Sequence, residues 1–458
     1  MRKPGIGWSV AIVLCSHTPA APAAGPLFEE AAVFVGGMDG INTYRIPSVV
    51  CTKKGTLLVF CEGRRDSESD GSPTHLVLKR SLGNFGAWQP GSPGQSQSGG
   101  GARAKPLNLT WEPMQTLITS HGTEAFMNPV PVIDESDGEI VLLVNRYLHF
   151  GKAEDEGRGQ VQTLLLRSRD EGASWSDSLD ITSSVGRVAL GPGIGIQTRR
   201  GSLVVPTYVG VLRSDDRGRT WKAGGEISSL PNETQVVELA DGSLMLSLRG
   251  NPNRTVFISK DEGTTWGFSW KDPALTDPEQ WGGCQASLIR YTRKDDGETR
   301  NRLLFANPAD LRSRLRLTVR MSYDEGRTWP VSKLVTPGPA AYSSMTIFPD
   351  GSVGLVYEAG SRREGKIKYS AQINFGRFNL EWLTDGKDRL AQAGKWAGRV
   401  SDLPNGSGIA LHNGLGTALE GMLIDALALD PTGSAHTFGV PKSNQVVNCS
   451  KTPCKPLG

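Results

Sequence analysis

Five polar residues close apolar runs at one fixed offset. Glu62, Asn145, Tyr208, Arg249 and Glu358 each stand seven residues after a glycine (Gly55, Gly138, Gly201, Gly242 and Gly351) that opens a run such as TLLVF, EIVLLV or SLMLSL. Seven residues of strand span roughly 23 Å. If the glycines are hairpin turns on one side of the molecule, the five side chains gather on the other, as a polar ring at the ends of hydrophobic strands. The plainer alternative is that polar residues merely mark strand ends. Three further stretches carry charge: the loop FCEGRRDSESDGS from Phe60 to Ser72, the tetrapeptide Asn232-Glu233-Thr234-Gln235, and Arg312-Ser313-Arg314-Leu315-Arg316. Alternating arginines read either as anion ligands or as a solvated ladder on an exposed strand. The cysteines have no paired CxxC spacing, so no metal site is expected.

The elements that must position these residues are announced by a repeat. Ser-x-Asp-x-Gly-x-Ser/Thr-Trp occurs at Ser168–Trp175, Ser214–Trp221, Ser259–Trp266 and Ser322–Trp329, with successive starts 46, 45 and 63 residues apart. A motif recurring at such a period marks a repeat architecture. Each copy follows a short apolar run and reads as a turn between strands, in which Asp accepts backbone N–H groups, Gly takes a conformation other residues resist, and Trp packs across the turn. The oxygen ligands at alternate positions that calcium requires are missing. The hairpin glycines, with Gly297 dividing the longest interval, give six units. Six small sheets that each need neighbours to bury both faces predict an all-β, six-bladed β-propeller over residues 33–382.

Composition fits this, with Gly 56, Pro 28 and Trp 11 in 458 residues and no long helical pattern. A net charge of +3 without a basic stripe argues against nucleic acid as a partner. Arg2 and Lys3, the apolar run from Trp8 to Cys15 and Ala21-Pro22-Ala23 predict a signal peptide over residues 1–24. That predicts a secretory route, extracellular, lysosome-like or periplasmic; if the leader is not a signal, the alternative is a cytoplasmic or membrane-associated protein. The apolar run is short for a membrane span, which needs about 20 residues. Cys449 and Cys454 could close a small loop, whereas Cys51, Cys61 and Cys284 read as buried free thiols. Residues 89–105 (QPGSPGQSQSGGGARAK) have nothing to bury and read as a flexible insertion. The extension over residues 383–458 has no readable role, and the oligomeric state is open.

Six motifs occur in a fixed order: Tyr44-Arg45-Ile46-Pro47, the four turn repeats, Asn232-Glu233-Thr234-Gln235, Ser247-Leu248-Arg249, Gly283-Cys284-Gln285 and Ala341-Tyr342-Ser343-Ser344. In this order they resemble the exo-α-sialidases (neuraminidases) of the bacterial and animal type, in which the turn repeats are called Asp boxes. The resemblance implies that Arg45, Arg249 and Arg314 clamp the carboxylate of sialic acid through charge-assisted hydrogen bonds. It implies Tyr342 as nucleophile, Glu233 as its base and Asp70, rather than Asp66, as general acid. Arg64 stands beside the clamp, Glu358 orients Arg45, Glu62 supports Arg64, and Asn128 and Gln285 contact the sugar. A carboxylate nucleophile would meet the substrate's own carboxylate, and two like charges about 4 Å apart repel by about 4 kcal/mol at an effective dielectric of about 20. A tyrosine, neutral until its proton leaves, avoids that, and nearby arginines are expected to favour its phenolate. The partners implied are sialylated glycoconjugates, and the implied reaction requires no cofactor. A trans-sialidase with a sugar acceptor in place of water, or a non-catalytic glycan-binding propeller, are the alternatives.

Overall fold

The computed structural model describes residues 25–82, 105–106, 109–148, 161–363 and 366–391, with four short strands between 426 and 456. The expected signal peptide, nearly all of the 89–105 insertion, and Cys449 and Cys454 lie outside the described residues. The fold is nearly all β. Among the described residues the α-helices are single turns, Thr182–Val185 and Leu380–Leu383, and no helix is long and apolar enough to cross a membrane.

One antiparallel meander recurs along the chain. Its first two strands are joined by the glycine hairpins: Thr43–Cys51 pairs with Thr56–Arg64, Ala125–Ile133 with Ile140–Tyr147, and Thr234–Glu238 with Leu244–Leu248. The hairpin glycine has positive φ each time, from 81° at Gly138 to 93° at Gly201, a region glycine enters without steric cost. The repeated Ser-x-Asp turns join third to fourth strands, as between Asn253–Ser259 and Ser269–Thr276. In an antiparallel meander the first and third connections lie at the same end. The repeated turns therefore share an end with the hairpins, and Glu62, Arg249 and Glu358 lie away from it, two residues inside the end of Thr56–Arg64, just beyond Leu244–Leu248 and midway along Val353–Arg363.

The second strand of each meander is buried on both faces. Every residue of Thr56–Arg64 is buried. Because side chains alternate with period two, Leu57, Val59 and Cys61 pack with Val356 and Phe375, whereas Leu58 and Phe60 pack with Leu142 and Val144. The alternation continues along the chain: Val141 and Leu143 meet Leu203 and Val205, Val204 meets Leu246, Met245 meets Leu303 and Phe305, and Leu304 meets Leu355. Successive meanders thus share a core, and Val356 with Leu57 joins the last to the first. The N-terminal strand Phe28–Val35 completes the last sheet by pairing antiparallel with Lys366–Phe378, in register from Phe28 against Phe378. A separate unit from Val400 onward holds the four short strands Ala426–Leu429, Ala435–Gly439, Val447–Asn448 and Lys455–Pro456, paired in that order.

Within each repeated turn the Asp carboxylate ties both ends of the loop. Asp261 accepts from Ser259 Oγ at 2.7 Å, from the Thr265 N–H at 2.8 Å and from Thr265 Oγ1 at 2.6 Å, while the Gly263 N–H bonds Ser259 Oγ at 2.8 Å. The residue that the motif leaves open, just before the glycine, takes left-handed backbone in all four copies: Glu171, Arg217, Glu262 and Glu325 have φ between 56° and 65°. Its side chain reaches the preceding meander. Glu171 accepts from Thr52, Arg217 pairs with Asp134 at 2.6 Å, Glu262 with Arg213 at 3.0 Å, and Glu325 accepts from the Ala240 N–H at 2.8 Å.

The hydrogen bond from Thr265 Oγ1, followed by that from its N–H, holds the Asp261 carboxyl down at about 2. A carboxyl depressed in the fold stabilises it above the unfolded pKa of about 3.9 and loses that contribution as pH falls through the folded value. Asp261→Ala is expected to cost about 1–2 kcal/mol in urea unfolding near neutral pH, the low end for such bonds because water competes at an exposed turn. The gap from wild type should narrow between pH 4 and pH 2; a gap of constant size across that window would contradict this account.

Candidate active site

Two bulged strands open the site. In Thr43–Cys51 the register against Thr56–Arg64 slips between Arg45 and Ser48, with Ile46 at φ 55° ahead of Pro47. The same device recurs in Ala125–Ile133, where the slip falls between Met127 and Val130 and Asn128 has φ 56° ahead of Pro129. A bulge turns a backbone N–H out of its ladder. Here each freed N–H finds a buried carboxylate of an adjoining meander: Ile46 donates to Glu358 Oε1 at 2.8 Å and Asn128 to Glu62 Oε1 at 3.0 Å.

Those two carboxylates orient arginines. Glu358 Oε1 also accepts from Arg45 Nε at 2.8 Å, and Glu62 Oε2 accepts from Arg64 Nε at 3.1 Å and Nη2 at 2.8 Å. Glu62, Arg64 and Glu358 are fully buried. Arg64 Nη1 then reaches Asp70 at 2.6 Å, and Arg45 Nη1 stands 3.7 Å from the same oxygen. Asp70 is the exposed member of the group, its side chain 59% accessible. Burial opposes its charge, but Arg64 and then Arg45 outweigh it and hold the carboxyl below the usual range.

Tyr342 lies in the long strand Val331–Ile347 and is buried. Its hydroxyl donates to Glu233 Oε1 and accepts from Arg249 Nη1 at 3.0 Å, and the same Nη1 bonds Glu233 Oε2 at 2.7 Å. The guanidinium carbons of Arg45 and Arg314 each stand 5.3 Å from the Tyr342 ring centroid. Three arginines thus converge on one phenol. Burial, followed by the Glu233 charge, pushes that phenol well above its ordinary value, against the pull of Arg249, Arg314 and Arg45. The arginines do favour the phenolate, as expected, but desolvation and the Glu233 charge outweigh them in the free protein.

Of the alternating arginines, Arg312 and Arg316 are exposed and Arg314 is buried, donating from Nη2 to the Gly283 carbonyl at 3.1 Å. Gln285 occupies a different place from the one expected. Its Nε2 donates to the carbonyls of Pro192 at 2.9 Å and Ser343 at 3.0 Å, and its Oε1 accepts from the Ser343 N–H at 2.9 Å. At 1% exposure and saturated by main chain, it fixes the residue after Tyr342 rather than contacting a sugar. Asn145 likewise turns inward, bonding the Val188 carbonyl at 3.0 Å and the Leu190 N–H at 2.7 Å. Tyr208 stands near enough to Glu233 and Tyr342 that, after burial, their charges raise its pKa.

Trp281 is the residue that sequence reasoning missed. Its carbonyl accepts from Arg249 Nη2, and its ring lies 4.7 Å from the Arg314 guanidinium carbon. The available signal was the Gly282-Gly283 pair beside it, which permits an abrupt loop.

A model of the BNR repeat-like domain matches residues 101–355. A sialidase from Micromonospora viridifaciens is 32% identical over 395 residues, covering 80% of this chain and 56% of that one. An exo-alpha-sialidase from Aspergillus fumigatus is 31% identical over 382 residues, 76% of this chain and 86% of the fungal one. This chain belongs to the sialidase family. The solved Hadza microbial sialidase Hz136 superposes with a TM-score of 0.63 at 27% identity, over 77% of this chain and 69% of that one. As a sialidase-family glycoside hydrolase, the chain carries its three convergent arginines on separate segments, and Arg45 among them is aligned by the buried Glu358 behind it.

Glu358→Ala is expected to destabilise the fold by about 3–5 kcal/mol, because it strands the Arg45 guanidinium without its buried counter-charge. The double variant R45M/E358A should recover part of that loss, since no unpaired charge remains. Denaturant unfolding of wild type, both single variants and the double variant checks this; full additivity would show that the pair is not coupled.

Proposed function

We propose that the chain is a retaining exo-α-sialidase releasing terminal sialic acid from glycoconjugates through a tyrosyl-enzyme intermediate, on a closed propeller whose six blades are the recurring meanders. The observation that carries the reading is the Tyr342 hydroxyl shared between Glu233 and Arg249 beneath three arginines. Arg45, Arg249 and Arg314 hold the substrate carboxylate. Tyr342 Oη attacks the anomeric carbon as its proton passes to Glu233, and the glycosidic oxygen departs with a proton from Asp70. Water then attacks the same carbon, giving its proton to Asp70. The tyrosyl C–O bond breaks, and the phenol recovers its proton from Glu233. A raised phenol pKa suits this sequence: the nucleophile stays neutral while an anionic substrate enters, and becomes charged only as the new bond forms. Asn128, turned at its bulge beside Glu62, is the remaining candidate for a polar contact to the sugar.

Asp70 must carry a proton to act as acid, yet Arg64 and Arg45 hold its carboxyl below the usual range in the free protein. The substrate carboxylate supplies the correction. Once it occupies Arg45, that arginine stabilises Asp70 less, and the added negative charge raises the Asp70 proton affinity. Activity that needs protonated Asp70 is lost as pH rises through its pKa, so the alkaline limb of kcat, which reports the complex, should lie at higher pH than that of kcat/KM, which reports the free enzyme. Coincident limbs in pH profiles on an aryl sialoside would argue against this coupling.

Tyr342→Phe keeps the ring between the arginines and removes the nucleophile, so kcat on an aryl sialoside should fall by at least about a thousandfold while the fold persists. The product from sialyl-lactose should be free sialic acid even with added galactoside. Near-wild-type turnover by the variant, or transfer to the galactoside in place of release, would overturn the assignment.

A further inference from the structure

Arg249 and Arg314 sit on separate segments, and neither has a dedicated buried carboxylate of the kind that Glu358 gives Arg45. Glu233 faces Arg249, but it also holds the Tyr342 hydroxyl. What the two arginines share is the loop Gln280–Gly283. The Trp281 carbonyl accepts from Arg249 Nη2, and the Gly283 carbonyl accepts from Arg314 Nη2 at 3.1 Å. Gln280 Oε1 accepts from the Arg314 N–H at 3.1 Å, and the Trp281 indole covers the Arg314 guanidinium. The loop is pressed against its cargo: a Cβ at Gly283 would stand 2.8 Å from the Gly250 carbonyl oxygen and 3.0 Å from Arg249 Cγ.

Trp281 itself is unusual. It takes left-handed backbone at φ 53°, ψ 31°, a region that bulky residues rarely occupy. It also leaves 61% of its surface exposed, with its ring edge-on to Tyr369 at 5.4 Å between centroids. A large aromatic held in disfavoured backbone without being buried contributes little to a core, so its packing does not explain it. Its contacts with the two arginines do.

We propose that Trp281 is a positioning residue of the carboxylate clamp: its indole aligns Arg314 while its carbonyl aligns Arg249, so that both guanidinium groups face one anion before it arrives. The proposal rests on the sialidase reading and adds a residue to it. Because the clamp grips the carboxylate equally in ground and transition states, loss of the ring should raise KM and leave kcat nearly untouched. The effect should also be indifferent to the leaving group.

The test uses the full chain with Trp281→Gly, Trp281→Ala and Trp281→Phe. Calorimetry gives Kd for a 2,3-unsaturated sialic acid, and kinetics are run on an aryl sialoside and on sialyl-lactose. Gly and Ala are expected to weaken binding about tenfold and to raise KM by the same factor on both substrates, with kcat within about threefold of wild type. Phe should restore both to within about threefold. Trp281→Gly guards against a folding artefact, since glycine accepts the left-handed backbone and keeps the carbonyl. Unchanged Kd in Gly and Ala, a Phe variant as weak as Gly, or a KM rise confined to sialyl-lactose, which would make Trp281 a contact for the leaving sugar, each overturns the proposal. A wild type that binds the unsaturated sugar but releases no sialic acid overturns the proposed reaction instead, and the calorimetric comparison still decides the role of Trp281.

Discussion

A strand buried on both faces leaves no solvent for a charge. Thr56–Arg64 and its counterparts serve two neighbouring cores at once from the hairpin glycine onward. Glu62 and Glu358 come where those apolar runs give out, two residues before the end of Thr56–Arg64 and midway along Val353–Arg363. They are still desolvated by the sheets on either side, and so each must hold a cation or a backbone donor or remain a costly uncompensated charge. The polar site is therefore a product of the hydrophobic architecture: the cores push the charges to one end, and the charges must then pair there.

Pairing at that end is graded from inside outward. Glu358 and Glu62 are buried and fix Arg45 and Arg64. Those arginines in turn set the state of the exposed Asp70, and the Tyr342–Glu233–Arg249 triangle closes the floor. In the proposed reaction the groups that change protonation are the outermost carboxylate and the buried phenol with its partner Glu233. Glu358 and Glu62 stay locked in ion pairs with Arg45 and Arg64 behind them. Burial and fixed charge pull in opposite directions on both Asp70 and Tyr342, with charge winning at the first and burial at the second, so two acids within one site are driven apart.

Much of this was legible in the chain itself, because the signals were local. The hairpin glycines and the repeated turns appear as such, and the seven-residue step from the glycines correctly brought Glu62, Arg249 and Glu358 to one end. The same step also picked Asn145, which turns back to hold residues 188 to 190, because an offset fixes where a strand stops and not which way a side chain finds its partner. Gln285 misled for a related reason: an amide satisfied by the main chain of two other segments looks, in sequence, like an amide available to a ligand. The bulges at Ile46 and Asn128 could have been read from the X-Pro pairs, but their carboxylate partners are 312 and 66 residues away. Trp281 escaped notice because its importance lies in a carbonyl and a ring face directed at residues from two other segments, which no spacing encodes.

The position that the turn repeat leaves unspecified has a further meaning. Glu171, Arg217, Glu262 and Glu325 share one backbone shape and one task, yet their charges differ, and each suits the segment it meets: a threonine hydroxyl, a pair of aspartates, an arginine, a backbone N–H. The motif makes the modules alike, and this one residue makes them distinguishable. Exchanging the second and third modules would bring Glu262 of the fourth against Asp134 and Asp137 of the second, like against like. The chain thus carries a seating plan within its own redundancy, so that near-identical parts can dock in only one order.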